Sequence, residues 1–198
     1  GKMVTLQQVQ ALQKEGGAVL DVLKATPDAA AAQEAAAAEG TDRAFKTPAE
    51  QMFSDIEASN FVTLGKTEAP VIYTFMDPQC PYCHAMMDDL KAAYIDNGLV
   101  QVRMIPVGFK EDTKAQAALL LAIADPAERW FKHLAGDAAA LPVTPGINAQ
   151  GVEKNLSIMQ SWKMNVTPLS VYRAKNGEVK ILQGRPRDLQ ALVNDIKG

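Results

Sequence analysis

Two cysteines three residues apart follow an apolar run and a proline-containing turn, and this junction restricts the fold more than any other feature of the chain. Residues 71–76 (Val-Ile-Tyr-Thr-Phe-Met) form a short β-branched and aromatic run of the kind that fills a buried central strand. Asp77-Pro78-Gln79 breaks the run, and Cys80-Pro81-Tyr82-Cys83 opens a helix predicted over 80–96. Positions 83, 86, 87, 90 and 94 of that helix keep the spacing of one buried stripe. Asn97-Gly98 ends it, and 99–107, with Val100, Val102 and Met104 alternating, is predicted as a second strand. Strand, helix and strand in so short a span make a βαβ unit with parallel strands.

The rest of the chain is arranged around that unit. Thr47-Pro48-Ala49-Glu50 resembles a capping box with proline at the first helical position, and a helix to about 59 places Met52, Phe53 and Ile56 on one face. Residues 61–64 are predicted as a short strand. Residues 111–163 read as helical throughout, with helices over 112–124 and 126–134, a Pro/Gly-rich loop over 136–148, and a helix carrying Val152, Leu156, Met159 and Trp162. After Thr167-Pro168, strands are predicted over 169–172 and 179–182, joined through Asn176-Gly177, a strong hairpin signal. A helix over 186–197 closes the chain. The order is βαβ, helical insertion, β-hairpin, helix: a mixed α/β sandwich. Residues 1–47 differ in texture, being Ala-rich between 29 and 39, and are expected to form a separate helical arm or spacer ahead of a domain over 48–198.

A sulfur at a helix start meets unpaired backbone N–H groups and the positive end of the helix dipole, so thiolate is favoured over thiol at Cys80. Disulfide exchange requires such a thiolate. Cys83 lies one turn on and points inward with the buried stripe, which assigns attack to Cys80 and resolution to Cys83. Pro81 costs no hydrogen bond at its position. Tyr82 lies on the exposed side of the first turn, where it is expected to touch substrate. Six residues before Cys80 stands Thr74, whose hydroxyl is a poor base for relaying a proton and leaves proton handling to water or backbone.

The string Phe75-Met76-Asp77-Pro78-Gln79-Cys80-Pro81-Tyr82-Cys83, with Asn165-Val166-Thr167-Pro168 further on, resembles the catalytic domain of the DsbC/DsbG family of bacterial periplasmic disulfide isomerases, closest to its DsbG branch. The resemblance covers roughly 48–198 and includes the insertion over about 111–163. Glutaredoxins share Cys-Pro-Tyr-Cys but are much shorter and lack the insertion. The resemblance implies a thioredoxin-like fold and a cis Thr167–Pro168 peptide facing the cysteines, with the Thr167 backbone presented to an extended substrate. It implies a periplasmic location, clients among exported proteins with thiols or disulfides, and a membrane electron donor of DsbD type. It also leaves a homodimer open, although the Ala-rich residues 1–47 do not match the family's β-rich dimerisation domain. A DsbA-type oxidase remains an alternative reading, as does a thiol-bearing holdase or metal-binding protein without turnover.

Blander readings bear on the remaining residues. A disulfide between Cys80 and Cys83 closes a loop too small to staple 198 residues. Zinc wants about four ligands, and beyond the cysteines the chain offers only His84 and His133, so no metal or cofactor is expected. His84 reads as a solvated helix residue, Met86 and Met87 as core, and Trp130, Trp162 and Tyr94 as core or rim. Thr144-Pro145 reads as a loop dipeptide, and Arg185 and Arg187 as a solvated helix start. A net charge of −3 leaves no basic footprint for nucleic acid, and no apolar run approaches the roughly 20 residues that span a bilayer. The first residues lack the regions of a leader peptide, so an exported protein is expected here in its mature form.

Overall fold

A computed structural model of the chain describes residues 47–196. The arm expected over 1–47 therefore lies, apart from Thr47, outside the described residues. Thr47 caps the first helix, α1 (Pro48–Glu57), its hydroxyl accepting the Glu50 N–H at 3.2 Å. There follow β1 (Val62–Leu64), β2 (Val71–Met76), α2 (Pro81–Leu90) and β3 (Gln101–Pro106). The insertion supplies α3 (Glu111–Ala122), α4 (Pro126–Leu134) and α5 (Gln150–Ser161), and the chain continues through β4 (Leu169–Arg173), β5 (Val179–Gln183) and α6 (Leu189–Ile196). The sequence thus places every element of the described residues to within a few positions.

One boundary differs. The helix predicted over 80–96 is α-helical only to Leu90 and continues as a π-helix, Lys91–Ile95, in which Asp96 N bonds Lys91 O at 2.9 Å. A widened turn keeps the apolar stripe of its neighbours, so the spacing in the sequence does not reveal it.

The five strands form one sheet in the order β1-β3-β2-β4-β5. The β2–β3 pair is parallel, as the βαβ reading requires, and the other three pairs are antiparallel. Alternation along the central strand divides its side chains between two apolar layers. Ile72 and Met76 join Val102, Met104 and Tyr172 beneath α2, α6 and Trp130 of α4. Tyr73 and Phe75 join Ile105, Leu169 and Val171 beneath Met52, Phe53 and Ile56 of α1 and Met159 of α5. On the Ile72 and Met76 face of β2, Thr74 is fully buried, and its hydroxyl lies 3.0 Å from that of Ser170 across the β2–β4 pair. Both faces of the sheet are covered, which is why β2 reads as a nearly continuous apolar run.

Register also places the functional end. Because β4 runs antiparallel to β2 with Leu169 opposite Phe75, the residues just before β4 lie at the sheet end where β2 gives way to α2.

Candidate active site

The turn between β2 and α2 is built on a buried carboxylate. Asp77 accepts the Gln79 N–H on Oδ1 at 2.9 Å and the Phe109 N–H on Oδ2 at 3.1 Å, while its carbonyl accepts the Cys80 N–H at 3.0 Å. Gln79 reaches the insertion through Gln116 Oε1 at 3.0 Å, and buried Gln116 in turn donates to the Leu141 carbonyl at 2.7 Å. The chain enters α2 with Cys80 as N-cap in extended conformation (φ −77°, ψ 115°) and Pro81 at the first helical position. Cys80 Sγ accepts the Cys83 N–H at 3.4 Å and so takes the place of a capping oxygen. The same sulfur donates to the Thr167 carbonyl at 3.5 Å.

Cys83 lies one turn on, fully buried, and neither cysteine is in a disulfide. Burial pushes the Cys83 thiol up, and the hydrogen bond and charge of Cys80 push the same way. The Asp77 backbone and the Thr167 side chain act in the opposite direction and are outweighed. Cys80, by contrast, is half-buried and opens onto a cleft of about 210 Å³ lined by Asp77, Gln79, Phe109, Lys110, Thr113 and Thr167.

Thr167–Pro168 is the cis peptide among the described residues, whereas Thr144-Pro145 lies in an exposed loop. Tyr82 is 68% exposed. The structure therefore brings Cys80, Cys83, Thr167 and Pro168 together, with Tyr82 standing outward from the first turn.

Phe109 was not legible as part of this site. It is 54% exposed, and its position follows from Gly108, where a Cβ would fall 2.2 Å from Lys114 N. Only glycine lets the loop pass so close to the start of α3. An aromatic after a glycine just past a predicted strand was the available signal.

One expectation is corrected. His84 is half-buried rather than solvated: its Nε2 lies 2.7 Å from the Pro78 carbonyl and its ring meets Trp130 edge-on at 5.9 Å. Arg185 stays exposed and pairs at the surface with Asp89 of α2 at 2.7 Å. Met86 and Met87 are fully buried core residues, as is Trp130, and Trp162 is half-buried with its Nε1 bonded to Asp55. Among the described residues no three of His, Cys, Asp and Glu are grouped to hold a metal ion.

With this geometry in view, comparison with known proteins decides the family. The model for the thioredoxin-like domain matches residues 58–196. The chain belongs to the thioredoxin-like family. Within it, the chain is 34% identical over 145 residues to the thiol:disulfide interchange protein DsbG of Pseudomonas aeruginosa, covering 70% of this chain and 56% of that protein. It is likewise 34% identical over 154 residues to DsbG of Escherichia coli, covering 75% of this chain and 61% of that one. The chain thus spans less than two thirds of the length of these curated relatives. A disulfide interchange protein from Neisseria gonorrhoeae shares the thioredoxin-like fold with a TM-score of 0.56 at 19% identity, over 70% of this chain and 97% of that one. A linker-deletion mutant of ScsC from Proteus mirabilis aligns over 98% of this chain and 96% of its own, with a TM-score of 0.51 at 18% identity.

Proposed function

We propose that the chain is a thiol–disulfide oxidoreductase that reduces or isomerises disulfides in exported proteins, with Cys80 as attacking and Cys83 as resolving sulfur. The observation that carries this reading is the Cys80 sulfur at the N-cap of α2, receiving the Cys83 N–H while Cys83 itself is sealed in the core. An N–H donor and the helix dipole favour negative charge at that sulfur. The likeness to DsbG over the matched residues supports the same chemistry.

In the reaction, the Cys80 thiolate attacks one sulfur of a client disulfide. A Cys80–client bond forms and the second client sulfur leaves as a thiolate. Cys83, after losing its proton, then attacks Cys80. This closes the Cys80–Cys83 disulfide and releases the first client sulfur, so the client gains two electrons and the enzyme loses them. If a client thiolate attacks the mixed disulfide first, the client is isomerised and the enzyme stays reduced.

Thr167, held by the cis bond to Pro168 beside Cys80, offers its backbone to an extended client segment, and Tyr82 flanks that segment. Return to the dithiol requires an outside dithiol donor, for which a membrane protein of DsbD type is the family precedent. A periplasmic location follows from the same likeness, and a homodimer would have to be assembled by other means than a β-rich dimerisation domain.

Cys83→Ala is the test. It is expected to accumulate mixed disulfides between Cys80 and exported proteins, while Cys80→Ala accumulates none and loses activity. Full activity in both variants would sink the reading. A reduction potential near about −120 mV would move it to a DsbA-type oxidase.

A further inference from the structure

The turn that carries Cys80 is also held by contacts in which neither cysteine takes part. Pro78, two residues before Cys80, is buried, and its carbonyl faces two imidazoles, His84 Nε2 at 2.7 Å and His133 Nε2 at 2.8 Å. A carbonyl oxygen only accepts, so each ring presents an Nε2–H to it. The two rings stand edge to face with centroids 5.3 Å apart. Trp130 packs against both, at 5.9 Å and 6.0 Å, and is fully buried.

The two histidines differ in what they connect. His84 lies on α2 itself and closes a local span. His133 lies on α4 of the insertion and ties the turn to an element 55 residues away in the chain. The Gln79–Gln116–Leu141 chain makes a second tie between the same turn and the insertion.

We propose that His133 is a positioning residue for the redox pair: its donation to the Pro78 carbonyl lets the insertion fix the turn that sets Cys80 Sγ at the start of α2. This rests on the oxidoreductase reading above. The stabilisation a helix start gives a thiolate falls off within the first turn, and the Cys83 N–H already meets the sulfur at 3.4 Å. A turn freed to shift weakens that interaction further. The fold itself tolerates the loss, because the Pro78 carbonyl keeps His84 as partner and carbonyls with one of two lone pairs unfilled are common. The effect therefore falls on the thiol chemistry rather than on folding.

The test uses the full chain and the equilibrium constant of its cysteine pair in glutathione buffers. His133→Phe keeps an aromatic ring and removes the donor, whereas His133→Gln restores a side-chain N–H at similar reach. His133→Phe is expected to shift the equilibrium toward the disulfide by about tenfold, or about 30 mV toward reducing potential. His133→Gln is expected to stay within about twofold of the parent. In the parent, nitrogen-15 spectra of the imidazoles are expected to show the Nε2–H form of both rings, a readout that stands even if His133→Phe does not fold. An unchanged constant in His133→Phe, an equal shift in both variants, or an Nδ1–H form of neutral His133 overturns the inference. A parent pair that does not exchange with glutathione at all overturns the oxidoreductase reading, and this inference with it.

Discussion

Cys83 combines complete burial with an ionisable thiol, and the combination makes the reduced protein sensitive to pH. Burial, then the hydrogen bond and charge of Cys80, push its thiol up, whereas a cysteine in the unfolded chain titrates near about 8.5. Above that pH the folded state holds a proton that the unfolded state has released. Linkage then gives a stability that is complete below the unfolded value and declines as pH rises through it, by up to about 1.4 kcal/mol per pH unit. Tyr73 and Tyr172, also raised chiefly by burial, add to the decline only nearer pH 10, where an unfolded tyrosine titrates. Urea midpoints of the reduced protein between pH 7 and about 9.5 should therefore fall, and those of Cys83→Ala should fall less. Parallel curves would place the titrating group elsewhere. In the proposed reaction the same protonation would hold Cys83 back while Cys80 attacks, so burial as much as sequence order would set the order of the two sulfurs.

Among the helices, α5 is tied to the end of β3 and to the segment before β1 by a buried polar side chain. Asn155 is fully buried; its Nδ2 donates to the Asn60 and Pro106 carbonyls at 2.9 Å each, and its Oδ1 accepts the Asn60 N–H at 2.9 Å. Asn155→Leu, close in size, strands all three backbone groups and should cost about 2–4 kcal/mol in urea unfolding of the full chain. A loss below about 1 kcal/mol would mean that water replaces the amide. Asn155 also shows what the sequence could not disclose at this scale. The apolar run 71–76, the cap at Thr47 and the helix stripes are local patterns, and each is legible from neighbouring positions. Asn155 with Asn60, His133 with Pro78, and Arg185 with Asp89 are pairings across 55 or more residues of chain, and nothing in their own neighbourhoods marks them. His84 therefore reads as solvated until α4 is seen to bring Trp130 and His133 against it.

The molecule as a whole is recognisable from two separated signals, the cysteine pair at a strand-to-helix junction and the Thr-Pro before a late strand, because the sheet order brings them to one end. Thr167 lies opposite the start of α2 only because β4 pairs antiparallel with β2, a relation that resemblance implied and the register supplies. The described residues hold a core that carries this arrangement. The sheet is covered on both faces, α1 starts under its own Thr47 cap, and the edge strand β1 is three residues long, too short to invite further pairing. The family match, over 58–196, falls inside the same span. A chain that begins at Thr47 is therefore expected to fold cooperatively, with the urea midpoint of the full chain and a glutathione equilibrium constant within about twofold of it. Both measurements are needed, because they separate two contributions of residues 1–46. A lower midpoint with an unchanged constant would give those residues a part in stability alone. A changed constant would mean that they act on Cys80, and the redox site would then have to be redrawn to include them.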